Sequence, residues 1–182
     1  FRNMNKYITF IGLLSMMFFV ACGGGESGSS ESEDQAVDES ASMAGMTELS
    51  LVEHGMDISI MVPDENTGIA EVIATDWSVE IRVGEGFMIS VSIGEGDLAL
   101  LKSDLEEDLV YKSEILEETD SYIVYKREIE NSGMEPEHHF FYIADIDGDQ
   151  YDVQNLKDVT YSKEAIDRML ASAKSIKAVP ES

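Results

Sequence analysis

Two neighbouring segments of this chain alternate apolar and polar residues, and this alternation constrains the fold more than any other feature. Residues 77–83 place Trp77 and three aliphatic side chains at every second position, and residues 87–93 repeat the pattern from Phe87 onward. A period of two is that of a half-buried strand. Because Gly84-Glu85-Gly86 separates the segments, we predict an antiparallel hairpin with one apolar face.

Five further segments are predicted to form strands. Their bounds are 49–62, 109–116, 121–129, 139–146 and 150–156. Asp147-Gly148 separates the last two segments, and Asp-Gly is among the strongest signals for a tight hairpin turn. A second Gly-Glu-Gly, at 94–96, ends the first hairpin and is predicted to supply turn geometry.

Two segments are predicted to form helices. A short acidic helix spans 97–108, where the side chain of Asp97 can cap the first turn. The second helix begins at Ser162, and its apolar residues recur at spacings of three and four, which predicts one buried stripe. Pro180 is predicted to end this helix. The stripe consists of Ile166, Met169, Leu170, Ala173 and Ile176.

Seven strands, two helices and sequential hairpins predict an α+β fold. In the predicted architecture an antiparallel β-sheet of about seven strands carries the short acidic helix and the C-terminal amphipathic helix packed on it. Residues 47–182 are enough for one ordinary domain and too few for two. We therefore predict a single α+β domain over 47–182.

The order of these elements resembles that of the PsbP-like superfamily. The resemblance is carried by Ile60-Met61-Val62-Pro63 at the end of the first predicted strand, by Trp77 downstream, and by residues 169–176 in the terminal helix. It implies a small α/β/α sandwich around an antiparallel sheet. Because members of the superfamily are mostly binding or assembly factors without catalysis, it also implies a binding function.

The first 21 residues are predicted to be a signal peptide. Lys6 precedes residues 7–21, which carry no charge. An uncharged stretch of ~7–15 residues is typical of export signals, whereas a membrane-spanning helix needs ~20. The stretch ends in Phe19-Val20-Ala21-Cys22-Gly23, which resembles the lipobox of bacterial lipoproteins.

This resemblance implies that Cys22, the only cysteine, is acylated after cleavage and anchors the protein to a membrane. Gly23 is not the aspartate that retains some lipoproteins in the inner membrane, so the resemblance implies a lipid-anchored protein of the cell envelope, in the outer membrane. An ordinary signal peptide with a chance cysteine is the alternative.

Residues 22–46 are predicted to be a disordered acidic tether. The segment holds five Gly, six Ser and six acidic residues, with no Lys, Arg or aromatic residue. Such a composition cannot bury enough apolar surface to offset the entropy of ordering. The acidic run 30–34 is either a signal for export to the cell surface or part of a solvated spacer.

The charge of the chain limits its partners. It has 12 basic and 37 acidic residues, a formal net charge of −25. This argues against nucleic acid, whose phosphates require a basic surface, and against direct docking on anionic lipid. It favours cationic or divalent-ion partners.

Acidic residues at alternate positions near the last hairpin suggest a weak calcium site. A twelve-residue calcium loop starting at the first of them would need Gly at its sixth position and an acid at its twelfth, and the chain has Gln150 and Leu156 there. A hairpin turn with solvated acids is the alternative interpretation. The candidate ligands are Asp145, Asp147, Asp149 and Asp152.

Other side chains give no catalytic signature. His138 and His139 are neighbours on a predicted strand and so point to opposite faces, which disfavours a shared zinc ion. The chain has no Gly-x-Ser-x-Gly nucleophile elbow, and with so many acids the pairs Glu106-Glu107 and Glu117-Glu118 carry no information about a glycosidase. Aromatic residues on strands are expected in the core or in cross-strand pairs; they are Trp77, Tyr122, Tyr125, Tyr142 and Tyr151.

The sequence therefore predicts a lipid-anchored envelope lipoprotein that acts as a binding or assembly module with a protein partner. It gives no support for a cofactor, and it favours a role without catalysis. Two alternatives stay open, which are a hydrolytic enzyme with an acidic or metal-assisted site and a protein that responds to divalent cations.

Overall fold

A computed structural model of the chain describes residues 43–180. The predicted signal peptide, Cys22 and most of the predicted tether lie outside the described residues. Between residues 43 and 180, neither helix is long and apolar enough to cross a membrane.

The described residues form ten strands, two α-helices and one 3-10 turn. The strands are β1 (Met46–Ser50), β2 (Ile58–Pro63), β3 (Ala70–Ala74), β4 (Val79–Val83), β5 (Phe87–Ile93), β6 (Lys112–Glu118), β7 (Tyr122–Glu128), β8 (Glu137–Ile146), β9 (Asp149–Asn155) and β10 (Lys177–Ala178). The helices are α1 (Leu98–Glu107) and α2 (Lys163–Lys174), and the 3-10 turn covers Val52–His54.

Seven of the strands form one antiparallel sheet, in the order β3-β4-β5-β9-β8-β7-β6. The other three form a small antiparallel sheet in the order β1-β2-β10. The predicted α+β fold with a seven-stranded antiparallel sheet is confirmed. The period-two pattern places its apolar residues as predicted, because Ile81 of β4 and Ile89 of β5 are register partners and fully buried.

The predicted first strand, 49–62, is wrong. The chain forms two strands there, β1 and β2, which pair with each other across the 3-10 turn. Gly55 ends this turn with φ of +83°, in the left-handed region that glycine adopts without steric cost. The prediction failed because the 3-10 turn lies inside a mostly apolar segment, whose pattern is that of one irregular strand.

The prediction that Trp77 lies on a half-buried strand is also wrong. The strand starts at Val79, and Trp77 lies in the turn between β3 and β4 with 86% of its surface exposed. Thr75 fixes this turn, since its hydroxyl accepts hydrogen bonds from the amides of Trp77 (3.3 Å) and Ser78 (2.9 Å). Strands β3 and β10 lie outside the segments that were predicted to form strands.

Helix α2 covers one face of the large sheet. Its predicted apolar stripe is buried, and Ser162 caps it by accepting the amide of Ala165 at 3.2 Å. The helix packs on β8, β9 and β5 and also meets β2 of the small sheet. It ends at Lys174 and not at Pro180, because the chain then turns to form β10.

Two serines join α2 to the small sheet. The hydroxyl of Ser175 accepts the amide of Met61 at 2.9 Å, and the hydroxyl of Ser172 donates to the carbonyl of Met61. Met61 lies beyond the two residues of β2 that pair with β10, so these bonds satisfy its backbone amide and carbonyl. The helix and the small sheet therefore share one hydrophobic core with the large sheet.

Helix α1 begins as predicted, since Asp97 accepts the amides of Ala99 (2.7 Å) and Leu100 (3.1 Å). None of its residues is fully buried, and its main contact is with β6. It is thus an edge element of the domain and contributes little to the core.

Candidate functional site

The two edges of the seven-stranded sheet differ in how well they are protected against pairing with another chain. Strand β6, at one edge, has a register irregularity between Ile115 and Glu117, which is a β-bulge. Four of its seven residues are charged. Lys102 of α1 also binds Glu118 at 2.7 Å. Bulges, charges and covering elements are the means by which natural sheets block edge pairing.

Strand β3, at the other edge, lacks these features. It pairs with β4 in continuous register from Ala70 to Ala74, without a bulge. Glu71 is its only charged residue. No other strand of the described residues pairs with its outer side. This edge is open to the addition of a strand.

The outward-facing backbone groups of β3 follow from the hairpin geometry. The amide of Thr75 donates to the carbonyl of Ser78 at 2.8 Å, so these two residues form a hydrogen-bonded pair. Hydrogen-bonded and non-hydrogen-bonded pairs alternate along an antiparallel ladder. Ala70, Val72 and Ala74 therefore turn their amides and carbonyls away from β4.

Large apolar side chains lie exposed along this edge. The exposed fractions are 85% for Ile69, 42% for Ile73 and 86% for Trp77. Rigid aromatic side chains with much apolar surface are the residue type most enriched where binding energy concentrates in interfaces. We define the β3 edge as residues 69–77, and it is the candidate functional site.

The charges around the β3 edge are negative. Residues 64–80 include five acids, namely Asp64, Glu65, Glu71, Asp76 and Glu80, and no Lys or Arg. The nearest base in the sequence, Arg82, is bound to Glu80 at 2.7 Å, and this bond raises the pKa of the guanidinium. The segment that carries the apolar patch therefore has a net charge of −5, and Arg82, the register partner of Glu71 on β4, is the base beside it.

The structure does not assemble the predicted calcium ligands. Asp145, Asp147 and Asp149 are exposed around the hairpin turn, where Asp147 and Gly148 have φ of +53° and +98°. Asp152 is buried further along β9, where its carboxylate accepts the side-chain amide of Gln150 at 2.9 Å. No group of three potential metal ligands occurs anywhere in 43–180.

The two neighbouring histidines point to opposite faces, as predicted for a strand. His139 is 1% exposed, and its Nδ1 lies 3.0 Å from the side-chain amide of Asn155, whose oxygen accepts the amide of Phe140. Nδ1 is therefore an acceptor, and the ring proton sits on Nε2. Burial lowers the pKa of His139 to about 4, helped by the charge of Arg127 and opposed by Glu137.

Grooves on the described surface include two that lie near candidate side chains or at the edge of the large sheet. One, of about 430 Å³, is lined by His138, Tyr161 and the start of α2. Burial raises the pKa of Tyr161 to about 12, so its hydroxyl keeps its proton at neutral pH. The other groove, of about 440 Å³, lies between the end of α1 and β6. His139 lines neither groove, so the buried imidazole and the tyrosine do not converge on one pocket.

Several other candidate side chains take part in packing or in ion pairs. Tyr125 and Tyr151 are buried, and the ring of Tyr125 lies 5.2 Å from that of His139. Tyr122 receives the ammonium of Lys174 at 4.0 Å from its ring centre. Glu117 and Glu118 bind two different lysines, so this acid pair is divided between two ion pairs.

No protein-family model matches this chain, and no curated protein matches it in sequence.

Proposed function

We propose that this protein is a lipid-anchored module of the cell envelope that binds a protein partner at the β3 edge. The proposal is supported by the lipobox-like residues 19–23, by the acidic tether that follows, and by the open edge. Cys22 provides the membrane attachment, and the tether gives the domain reach. Treated as a Gly/Ser coil, the 25 residues 22–46 span about 25–30 Å.

The exposure of Trp77 is the observation that carries the proposal. It is the only tryptophan of the chain, and 86% of its surface is exposed at a sheet edge that no described strand covers. Exposed aromatic surface beside unpaired backbone favours a site for protein association. Because this side chain is not part of the core, it is free to contact a partner.

Replacing Trp77 by alanine should weaken partner binding without destabilising the domain. An exposed substitution changes the free energy of unfolding by about 0.5 kcal/mol or less, whereas loss of an aromatic side chain that carries binding energy weakens binding by roughly 30-fold. The measurement is the fraction of the detergent-solubilised protein that migrates as a complex on native gels, together with thermal unfolding of the purified variant.

Leu109→Ala is the matched control, because Leu109 is 100% exposed beside the protected edge of the sheet. It should leave both the complex and the melting temperature unchanged. A Trp77→Ala protein that retains its complex at the wild-type level would contradict the proposal.

The proposed anchor predicts that Cys22→Ser removes lipid from the protein. Cells grown with labelled palmitate should label the wild-type chain and not the variant. Because every acyl chain of the proposed anchor is attached to Cys22, the loss of label should be complete. Label that survives Cys22→Ser would contradict the lipid anchor.

We also propose that the domain is related to the PsbP-like superfamily. Of the residues that carry this resemblance, 60–63 lie on β2 and 169–174 lie in α2, while Trp77 lies in the exposed turn before β4. Ser172 of the helix and Ser175 just after it bond to the backbone of Met61 on β2. This relation supports a binding or assembly role, because binding and assembly are the functions that the superfamily resemblance implies.

A further inference from the structure

We infer that the β3 edge binds an extended, positively charged segment of the partner, which joins the large sheet as an eighth strand beside β3. This inference rests on the proposed function and adds the binding mode and the chemistry of the partner. It is carried by three features of residues 64–80, which are the outward backbone groups, the exposed side chains and the charges.

The backbone supplies a continuous template. Ala70, Val72 and Ala74 each present an amide and a carbonyl on the side away from β4, and no described residue bonds to these groups. Strand addition to such an edge forms main-chain hydrogen bonds whatever the partner sequence. The backbone therefore contributes affinity for any extended segment, and the neighbouring side chains, Trp77 among them, add affinity and select the partner.

The side chains of β3 indicate which partner residues fit. Glu71 and Ile73 point to the same face of the sheet, because side chains two residues apart share a face. Residues directly opposite each other on paired strands contact through their side chains. A partner strand with a Lys or Arg opposite Glu71 and an apolar residue opposite Ile73 matches this face, and Trp77 lies beyond the end of the strand.

The charge disfavours the two nearest occupants, which are a second copy of the chain and the predicted tether. A second copy of the chain has the same five acids in 64–80 and a net charge of −25, so pairing two β3 edges brings like charges together. The predicted tether, 22–46, carries six acids and no base, so it is repelled as well. The partner segment is therefore basic, and its binding should weaken with salt.

Photo-crosslinking in living cells tests the binding mode. A photoreactive amino acid replaces Ile69 in the full-length chain, and the crosslinked segment of the partner is identified by mass spectrometry. The segment should carry a net positive charge. In the chain that carries the photoreactive residue, Val72→Pro removes an outward-facing amide and leaves the hydrogen bonds to β4 in place. An edge strand tolerates proline where the amide faces away from its neighbour. The adduct should fall by about tenfold or more, the cost expected for lost main-chain hydrogen bonds.

Val72→Ala is the control for the lost side chain and should keep the adduct near the wild-type level. If Val72→Pro fails to fold, Ala74→Pro removes another outward amide at an exposed position and should lower the adduct in the same way. Thermal unfolding of each purified variant reports whether the fold is retained.

The outcomes separate the inference from the proposed function. An adduct that survives both proline variants, or a crosslinked segment that is acidic or comes from a second copy of the chain, overturns strand addition by a basic segment but leaves a binding site at this edge. The absence of any adduct from position 69, together with an unchanged complex in Trp77→Ala, overturns the proposed function itself.

Discussion

The free energy of unfolding should fall by about 3 kcal/mol between pH 6.5 and pH 4 because of His139 alone. Burial lowers its pKa from 6.5 to about 4 in the folded protein, and each pKa unit corresponds to about 1.36 kcal/mol. The unfolded chain binds a proton near pH 6.5, whereas the folded protein binds one only near pH 4. The contribution of the neutral imidazole is therefore complete above pH 6.5 and is lost as the pH falls to 4.

The local structure explains why the folded protein resists this proton. The Nδ1 atom of His139 already accepts a hydrogen bond from Asn155, so protonation there would break that bond. Nε2 lies 3.5 Å from Glu137 Oε2 and has no hydrogen-bond partner in the described part of the chain. Arg127 adds an unfavourable positive charge nearby, and its Nε atom binds Glu137 at 2.8 Å.

Urea unfolding at several pH values measures this effect. Carboxylates also titrate toward pH 4. The quantity to measure is therefore the change in the free energy of unfolding with pH for wild type, minus the same change for His139→Gln. This difference should approach about 3 kcal/mol. If the free energy of unfolding changes equally with pH in wild type and in His139→Gln, the buried imidazole does not titrate as described.

Gly96→Ala should destabilise the domain by about 1–3 kcal/mol, the usual cost of forcing extra atoms into a packed site. A Cβ at this position would lie 2.6 Å from Oδ1 and 2.8 Å from Cγ of Asp152. Asp152 is 8% exposed, and its side chain is too short to move aside without leaving its contact with Gln150.

Denaturant unfolding of three variants tests this contact. Gly96→Ala and Asp152→Ala should each be destabilised, and the double variant should be less destabilised than the sum of the two, because the clash is gone. Gly86→Ala is the matched control, since nothing lies within 4 Å of its added Cβ. Strict additivity in the double variant would contradict the close approach.

The same contact explains an error in the sequence analysis. The first Gly-Glu-Gly supplies turn geometry as predicted, because Gly84 has φ of +59°. Gly96, in the second Gly-Glu-Gly, is required because a carboxylate from a distant strand packs against it. The local sequence pattern marks both glycine-rich segments as turns. It does not show whether a glycine is needed for its backbone conformation or because a neighbouring atom lies where a Cβ would be.

The fold was predictable where the local signal is strong. Strands β4 and β5 follow from their alternation, and α2 follows from its apolar stripe and its Ser162 cap. Strand β3 was missed because Val72 and Ile73 are adjacent apolar residues within a half-exposed segment, which breaks the alternation.

The candidate site could not be derived from local patterns at all. Whether a strand lies at an edge depends on long-range pairing, such as that of β5 with β9, which joins residues about 60 positions apart. The exposure of Trp77 had a signal in the turn-forming residues around it, Thr75, Asp76 and Ser78, but the alternation that continues into β4 outweighed it.

Hydrogen–deuterium exchange of the lipidated protein tests the central claim most directly. The protein is isolated in detergent with its partner and is measured again after high salt has removed the partner. The account predicts that amides of residues 69–77 exchange faster once the partner is gone, while those of 109–118 at the protected edge do not change. Unchanged exchange at 69–77, or a change confined to 109–118, would contradict binding at the β3 edge.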